Sequence, residues 1–454
     1  MIFRLGGNES NAELSAAARR RGLWALQATT FLTWGGFFAV IPLIAVHYVD
    51  DLGWAAGSIG LVLAVRQFLQ QGSTLFFGAL ADRLGAKWLI CSGLFVRVFG
   101  FALMAWADNL PMLMLSAIVT AIGGGLFEAP KAAAVATLTD ESNRRRYYST
   151  MGVIGGLGTA IGVLAGSLLI RADFDTVALA TAAIFFAAFV LMVIYLPPVR
   201  VATERHGLLE GIGFALRDRV FFRYAALLIG FYFVSTQFNI TVVLRATEVA
   251  GTESAVAWIY WINAGLITLL GYPLPRMIER RVSAYYMLVG GIAFIAAGTA
   301  LIAAAVNVPA LLLVVAVISF GTILARPGEQ TVSAGLADPI ARGSYFGVAA
   351  LSVAIGGGFG NLTGGLIYDY GERIDRPELP WIVFGLVGAA TVAGLWHIRD
   401  AISQAHARMT ARTEAARAAA GTPPVIRRPV PSASAARATD PVGLSITTKA
   451  TTER

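Results

Sequence analysis

Glu128, Glu329, Arg66, Arg97 and Arg326 are ionisable side chains set inside long apolar runs. An ionised arginine at the centre of a bilayer costs about 2.5–3.5 kcal/mol even on the mild insertion scale. Such residues are kept where they face a cavity or a partner. A carboxylate in apolar surroundings resists ionisation, so it can load and release a proton near neutral pH. Glu128 and Glu329, each close to a proline and a cation (Pro130 and Lys131; Pro327 and Arg326), are therefore candidates for proton or cation coupling, together with Arg97 and Arg66. The competing reading is a static pair of Glu128 with Lys131 or Arg97.

Other chemistries find little support. His47, His206, His397 and His406 do not cluster, so no metal or histidine-based catalytic site is expected. Cys91 is the one cysteine, which excludes an internal disulfide and a thiolate cluster. The lysines are Lys87, Lys131 and Lys449, none of which follows a glycine, so there is no phosphate-binding loop of the Gly-Lys-Ser/Thr kind. No cofactor is implied and no enzyme is expected.

The elements that position the buried charges are membrane helices. Hydrophobic residues are 57% of the chain and charged residues 14%, against roughly 45–50% and about 25% in soluble domains. The apolar runs predict an all-α membrane protein of twelve spans, at 23–49, 57–80, 88–107, 111–138, 147–170, 176–196, 224–245, 255–274, 285–305, 309–330, 343–367 and 380–397. The run from Leu23 to Val49 is too long for a cleaved signal segment. Arg171, Arg245, Arg373 and Arg376 fall in links on one side, whereas most of the 35 Lys and Arg gather on the other, which predicts cytoplasmic termini. The expected domains are a cytoplasmic segment (1–22), a six-helix bundle (23–196), a cytoplasmic linker (197–223) with a short amphipathic helix, a second bundle (224–397) and a basic, disordered tail (398–454).

An internal repeat divides the spans. Asp140, Arg144 and Tyr147 recur as Asp338, Arg342 and Tyr345, each 198 residues later. Gly158, Gly162 and Gly166 recur as Gly356, Gly360 and Gly364 at that same offset. Small residues every four positions let helices pack closely. Two parallel six-helix halves imply a pseudo-two-fold axis along the membrane normal and a midplane site between them.

The link after the second span reads Gly78-Ala-Leu-Ala-Asp82-Arg83-Leu-Gly85-Ala-Lys87. It resembles the signature Gly-x-Leu-Ala-Asp-Arg-x-Gly-Arg-Lys of the major facilitator superfamily. The resemblance implies that Asp82 caps the start of the eleventh span near Gly343 to Tyr345 and locks the halves on the cytoplasmic side, where a carboxylate suits a helix N-terminus. Asp140 and Arg144 resemble the family's second acidic–basic cluster there, so Gly78, Asp82, Arg83, Gly85, Lys87, Asp140 and Arg144 form the expected gate. The chain departs from the family's drug antiporters in two places. Val163 stands where their fifth span has proline, and Val119 to Ala121 supply no arginine to the fourth.

In this family the first, fourth, seventh and tenth spans line the cavity. That implies substrate contacts from Gln27, Trp34, Phe38, Tyr232, Asn239 and Arg326, and we add Gln67 and Gln70 beside Arg66. The expectation is a monomeric, secondary active transporter of a bacterial inner membrane, exporting amphipathic drugs by alternating access against a proton flow. The second reading is a proton-coupled uptake symporter for a small polar metabolite. A polytopic membrane enzyme would need clustered catalytic residues.

Overall fold

The computed structural model describes residues 15–139, 141–170, 172–199, 216–252, 254–338 and 342–419. The side chains of Gly78, Asp82, Arg83, Arg144 and Arg342 and all of Asp140 lie outside the described set, as do 201–215 of the linker.

All regular elements among the described residues are helical. The first half comprises α1 (Ala16–Ala45, continued by a π-turn Val46–Asp51), α2 (Ala56–Leu84), α3 (Ala86–Met104), α4 (Leu110–Leu138), α5 (Glu141–Leu169) and α6 (Phe174–Tyr195). The second comprises α7 (Arg219–Ser235), a 3₁₀ turn (Thr236–Asn239), α8 (Thr241–Ala250), α9 (Ser254–Leu270), α10 (Pro273–Ile278), α11 (Ala284–Leu301), α12 (Val308–Leu336), α13 (Arg342–Arg373) and α14 (Leu379–His397). Among the described residues, ten helical segments are long and apolar enough to cross a membrane. The second and eighth predicted spans are the two outside that number. α2 carries Arg66, Gln67, Gln70 and Gln71, and α9 has only 17 residues before the chain turns into α10.

Helix ends follow local chemistry. Asn109 accepts from the Met112 amide at 3.0 Å and Asn307 from the Ala310 amide at 2.9 Å, so α4 and α12 start from equivalent caps 198 residues apart, each followed by a proline in the first turn. The repeat also shows in helix contact. A Cβ added to Gly93 would lie 2.7 Å from the Gly123 carbonyl oxygen, and one on Gly291 would lie 2.6 Å from that of Gly321. α3 meets α4, and α11 meets α12, through backbone at these pairs. Elsewhere Gly158, Gly162 and Gly166 bring α5 against Phe31, Gly35 and Ala39 of α1. Their counterparts Gly356, Gly360 and Gly364 bring α13 against Ile229, Thr236 and Gln237 of the seventh span.

That seventh span is interrupted. Gln237 Nε2 donates to the carbonyls of Phe233 at 2.8 Å and Gly360 at 2.9 Å, so its side chain serves the backbone where the helix tightens into 3₁₀ geometry. One further element differs from expectation. Residues expected to begin a disordered tail form α15 (Arg399–Ala419). The segment is rich in alanine and arginine, both strong helix formers, which outweighs its lack of a hydrophobic stripe. Residues 420–454 lie outside the described set.

Candidate functional site

The halves meet through two helix pairs, α2 with α13 and α5 with α9. Between them runs a chain of aromatic rings. Trp34 and Phe37 on α1 flank Phe38 at centroid separations of 5.9 and 5.3 Å. Phe38 faces Tyr260 of α9 at 6.0 Å, and Tyr260 meets Phe238 of the 3₁₀ turn edge-on at 5.2 Å. These distances fit edge-to-face and offset aromatic packing. The row therefore joins α1 in one half to α9 and the interrupted span in the other.

Arg66 adjoins this row. Its guanidinium carbon lies 5.1 Å from the Phe37 ring centroid, and Nη1 donates to Gln70 Oε1 at 3.1 Å. Arg66 is 7% exposed, and its Nε has no hydrogen-bond partner. Arg97 reaches from α3 towards the same place. It donates weakly to the Thr120 carbonyl (3.4 Å) and lies 5.4 Å from the Phe185 ring. A Cβ on Gly124 would fall 2.5 Å from Arg97 Nη2 and 2.7 Å from Gln70 Cδ. The glycine run of α4 thus leaves the room that the arginine and glutamine fill. The fourth span has no arginine of its own, and Arg97 brings a guanidinium to it from α3.

Glu128 is committed to Lys131, with Oε2 2.9 Å from Nζ on the same face of α4. Lys131 is buried and also lies 4.6 Å from the Phe127 ring. In the second half Glu329 is buried, accepts from Ser333 Oγ at 3.0 Å, and forms no ion pair among the described residues. Tyr224 donates to the Glu329 carbonyl at 3.2 Å and contacts Ser333 Oγ at 3.1 Å. Arg326, one turn earlier on α12, is exposed and sits over Tyr232 (5.4 Å) and Phe231 (5.8 Å) rather than against Glu329. The two halves therefore hold unlike arrangements: a closed carboxylate–ammonium pair in one, and in the other a buried carboxyl group held by a hydroxyl.

At the end of the bundle opposite the N-terminus, two polar clasps cross between halves. Asp369 of α13 accepts from the Ala56 amide at 2.9 Å (Oδ1) and the Gly57 amide at 2.8 Å (Oδ2). Ala55 cannot cap its own helix, so the carboxylate at the start of α2 comes from the other half. A Cβ at Gly57 would lie 3.1 Å from Asp369 Oδ2, which gives that glycine its use. Thr247 of α8 donates to Asp50 at 2.9 Å, the second clasp.

The remaining expected positions are scattered. Gln67 crosses to α13, where its Nε2 would lie 3.1 Å from a Cβ on Gly357. Gln27 and Asn239 are half-buried. Gly85 takes φ +85° as the residue before α3, and Lys87 is half-buried in the first turn of that helix. Tyr345 donates to Asp218, the residue capping α7, at 3.1 Å, and its repeat partner Tyr147 donates to the Leu23 carbonyl at 2.9 Å, so both tyrosines tie a helix to the first helix of their own half. Sequence reasoning missed Tyr260, Gln237 and Asp369. Tyr260 is buried between Trp258 and Trp261, which are 43% and 52% exposed.

Comparison with known proteins agrees with this architecture. Residues 26–361 match the family described as Major Facilitator Superfamily. The chain is 41% identical over 379 residues to a multidrug resistance protein MdtH of Sodalis glossinidius, covering 84% of this chain and 94% of that one. It is 40% identical over 383 residues to an MdtH of Yersinia pestis, covering 84% and 96%. Among solved structures, a POT family transporter in complex with 5-aminolevulinic acid superposes with a TM-score of 0.73 at 15% identity, covering 84% of this chain and 96% of that one. The nucleoside transporter NupG gives 0.71 at 14% identity, covering 83% and 99%. Helical halves, their shared interface and the extent of these matches lead to one conclusion: this chain is a multi-pass membrane transporter of the major facilitator superfamily.

Proposed function

We propose that the protein exports amphipathic drugs or related small molecules by alternating access, against a proton flow, as a monomer in a bacterial inner membrane with both termini cytoplasmic. The observation that carries the reading is the aromatic row from Trp34 through Phe38 and Tyr260 to Phe238, which bridges the halves. Hydrophobic ligand sites use broad aromatic surface and few polar anchors, and this row has Arg66 and its amide neighbours as its polar end. The relatives named for multidrug resistance support the same reading over uptake of a polar metabolite.

In this reading the halves are the bundles 23–196 and 224–397, joined by 197–223. Glu329 carries the coupling proton, because it is buried and unpaired by a cation, whereas Glu128 is held by Lys131. Each proton entering through a potential of 100 mV supplies about 2.3 kcal/mol. The Asp369 and Asp50 clasps close the periplasmic end in this conformer, and the Asp82 motif acts at the cytoplasmic end. The test is accumulation of a compound panel in inverted vesicles, with and without a proton gradient. Uptake of lipophilic drugs that collapses with the gradient is expected. Gradient-driven movement of one polar metabolite, with no drug moved, overturns the proposal.

A further inference from the structure

The middle of the membrane region carries unequal charge. In the first half, three cations (Arg66, Arg97, Lys131) stand within the spans against one carboxylate, Glu128, and Lys131 already occupies that carboxylate at 2.9 Å. Among the described residues neither arginine forms an ion pair. Arg66 has one side-chain acceptor, Gln70 Oε1, and a ring face; Arg97 has a long bond to a carbonyl and a ring face. Arg66 is more than nine-tenths buried with Nε unpartnered. A desolvated guanidinium with donors to spare is an incomplete site, since leaving a buried charge uncompensated is among the costlier arrangements a fold can hold. Guanidinium donors form a planar fork that matches a carboxylate's two oxygens.

We infer that Arg66, with Arg97 beside it, anchors an anionic group of the transported molecule, so that the substrates are amphipathic compounds carrying a carboxylate or sulfonate next to an aromatic body. The inference rests on the drug-export reading above and narrows its substrate class. Position supports it: Phe37, under the Arg66 guanidinium, is 5.3 Å from Phe38 in the aromatic row, so charge and ring surface are continuous. An aromatic acid lying along the row would place its carboxylate at Arg66. Gly124 of α4 leaves the room in which Arg97 and Gln70 stand side by side, because a side chain there would collide with both. Binding also removes the mutual repulsion of the two arginines, which gives the loaded carrier an electrostatic advantage over the empty one.

The test uses pyrenebutanoic acid, its methyl ester and a pyrenylbutyl trimethylammonium salt, which share one apolar body. Equilibrium dialysis against the detergent-solubilised full chain, with protein-free micelles subtracted, is expected to show the acid bound at least tenfold more tightly than the ester, and the cation more weakly still. In Arg66→Gln the acid falls to the level of the ester while ester binding persists, which shows that the protein is folded. Arg66→Lys keeps the charge but not the fork, so it retains an intermediate preference between wild type and Arg66→Gln, and Arg97→Gln reduces it partially. Equal binding of acid and ester by wild type, or a preference that survives Arg66→Gln, overturns the inference. Vesicle transport separates the two proposals. Proton-driven export of the ester or the cation without selectivity for the acid leaves drug export standing and removes the anion site, whereas export of none of the three counts against the parent reading.

Discussion

Asp369→Ala tests whether a carboxylate from one half holds the start of a helix in the other. The wild-type contact consists of two short bonds, 2.9 Å to the Ala56 amide and 2.8 Å to the Gly57 amide. Losing an N-cap costs about 0.5–2 kcal/mol, and losing an anion at the positive end of a helix about 0.3–1 kcal/mol at a surface. The bonds are part-buried, so water replaces some of what is lost, and about 2 kcal/mol is a fair total. All of it belongs to the conformer in which α2 and α13 touch at this end. At 1.4 kcal/mol per decade, the closed-to-open ratio falls about 30-fold. Spin labels at Leu52 and Ile374, both exposed near the clasp but outside it, placed in a Cys91→Ser background, report the change by pulsed dipolar spectroscopy as a new long-distance population. Asp369→Asn keeps one acceptor and gives an intermediate shift. Ala55→Ser offers α2 a cap from its own chain and loosens the clasp without touching Asp369. An unchanged distance distribution in Asp369→Ala refutes the argument, as does a tighter clasp in Ala55→Ser.

Other expectations follow from the same geometry. Gly123→Ala and Gly321→Ala each place a methyl within 2.7 and 2.6 Å of a facing carbonyl oxygen, so both should lower thermal stability in detergent by about 1–3 kcal/mol through overpacking; a milder effect at one site than at the other by more than that range would break the structural equivalence of the repeats. Glu329→Gln should abolish gradient-driven accumulation in vesicles while leaving substrate binding within about threefold, and full accumulation by this variant would remove Glu329 from coupling. Glu128→Gln strands Lys131 in the protein interior, and because Glu128 is 39% exposed the loss is put at about 1–2 kcal/mol, below the range for fully buried pairs; recovery in Glu128→Gln with Lys131→Gln would mark the pair as structural. Tyr260→Ala removes the ring that links Phe38 to Phe238 and should weaken binding of aromatic probes about tenfold with little change for small aliphatic ones, which a parallel dialysis series checks.

What could be read from the chain divides along a physical line. The repeat offset of 198 residues was visible in residues that recur by type, and in space it extends to Gly93 with Gly291 and to Asn109 with Asn307, because close helix contact tolerates only the smallest residue and a helix start needs a side-chain acceptor. The buried charges were also legible, since each stands out against apolar neighbours. Their partners were not. Nothing in spacing says that Arg66 turns to Gln70, or that Arg326 turns to Tyr232 and leaves Glu329 to Ser333, because those choices depend on which helix face meets which neighbour. Tyr260 was hidden between two tryptophans of greater apparent weight, although one turn of helix cannot bury all three. Asp369 left a faint signal that could have been used. The start of α2, Ala55-Ala56-Gly57, has no residue able to cap it, and an uncapped helix start in a packed protein implies an acceptor from elsewhere.

The capping argument also bears on how the carrier moves. α2 and α13 run antiparallel along the interface, with Asp369 by Gly57, Asn361 by Gly60, and Phe359 against Phe68 in sequence down the pair. The positive end of α2 is met by a carboxylate of α13. The family motif implies the reciprocal contact at the other end, with Asp82 of α2 serving the positive end of α13. Each helix would then cap the other. A rocking motion that opens one end must break one of these contacts and can keep the other, so neither open state pays for both. Were the implied Asp82 cap chemically like the Asp369 one, their costs would be comparable, about 2 kcal/mol each, and the empty carrier would be balanced between its two faces. A modest differential, such as an anion neutralising Arg66 or a proton on Glu329, is then large enough to tip it, because a ligand shifts a two-state equilibrium only by its difference in affinity for the two states. The sign is testable from both ends: weakening Asp369 favours opening at its own end of the bundle, and weakening Asp82 favours opening at the other, so the double variant should return the distance distribution towards that of wild type.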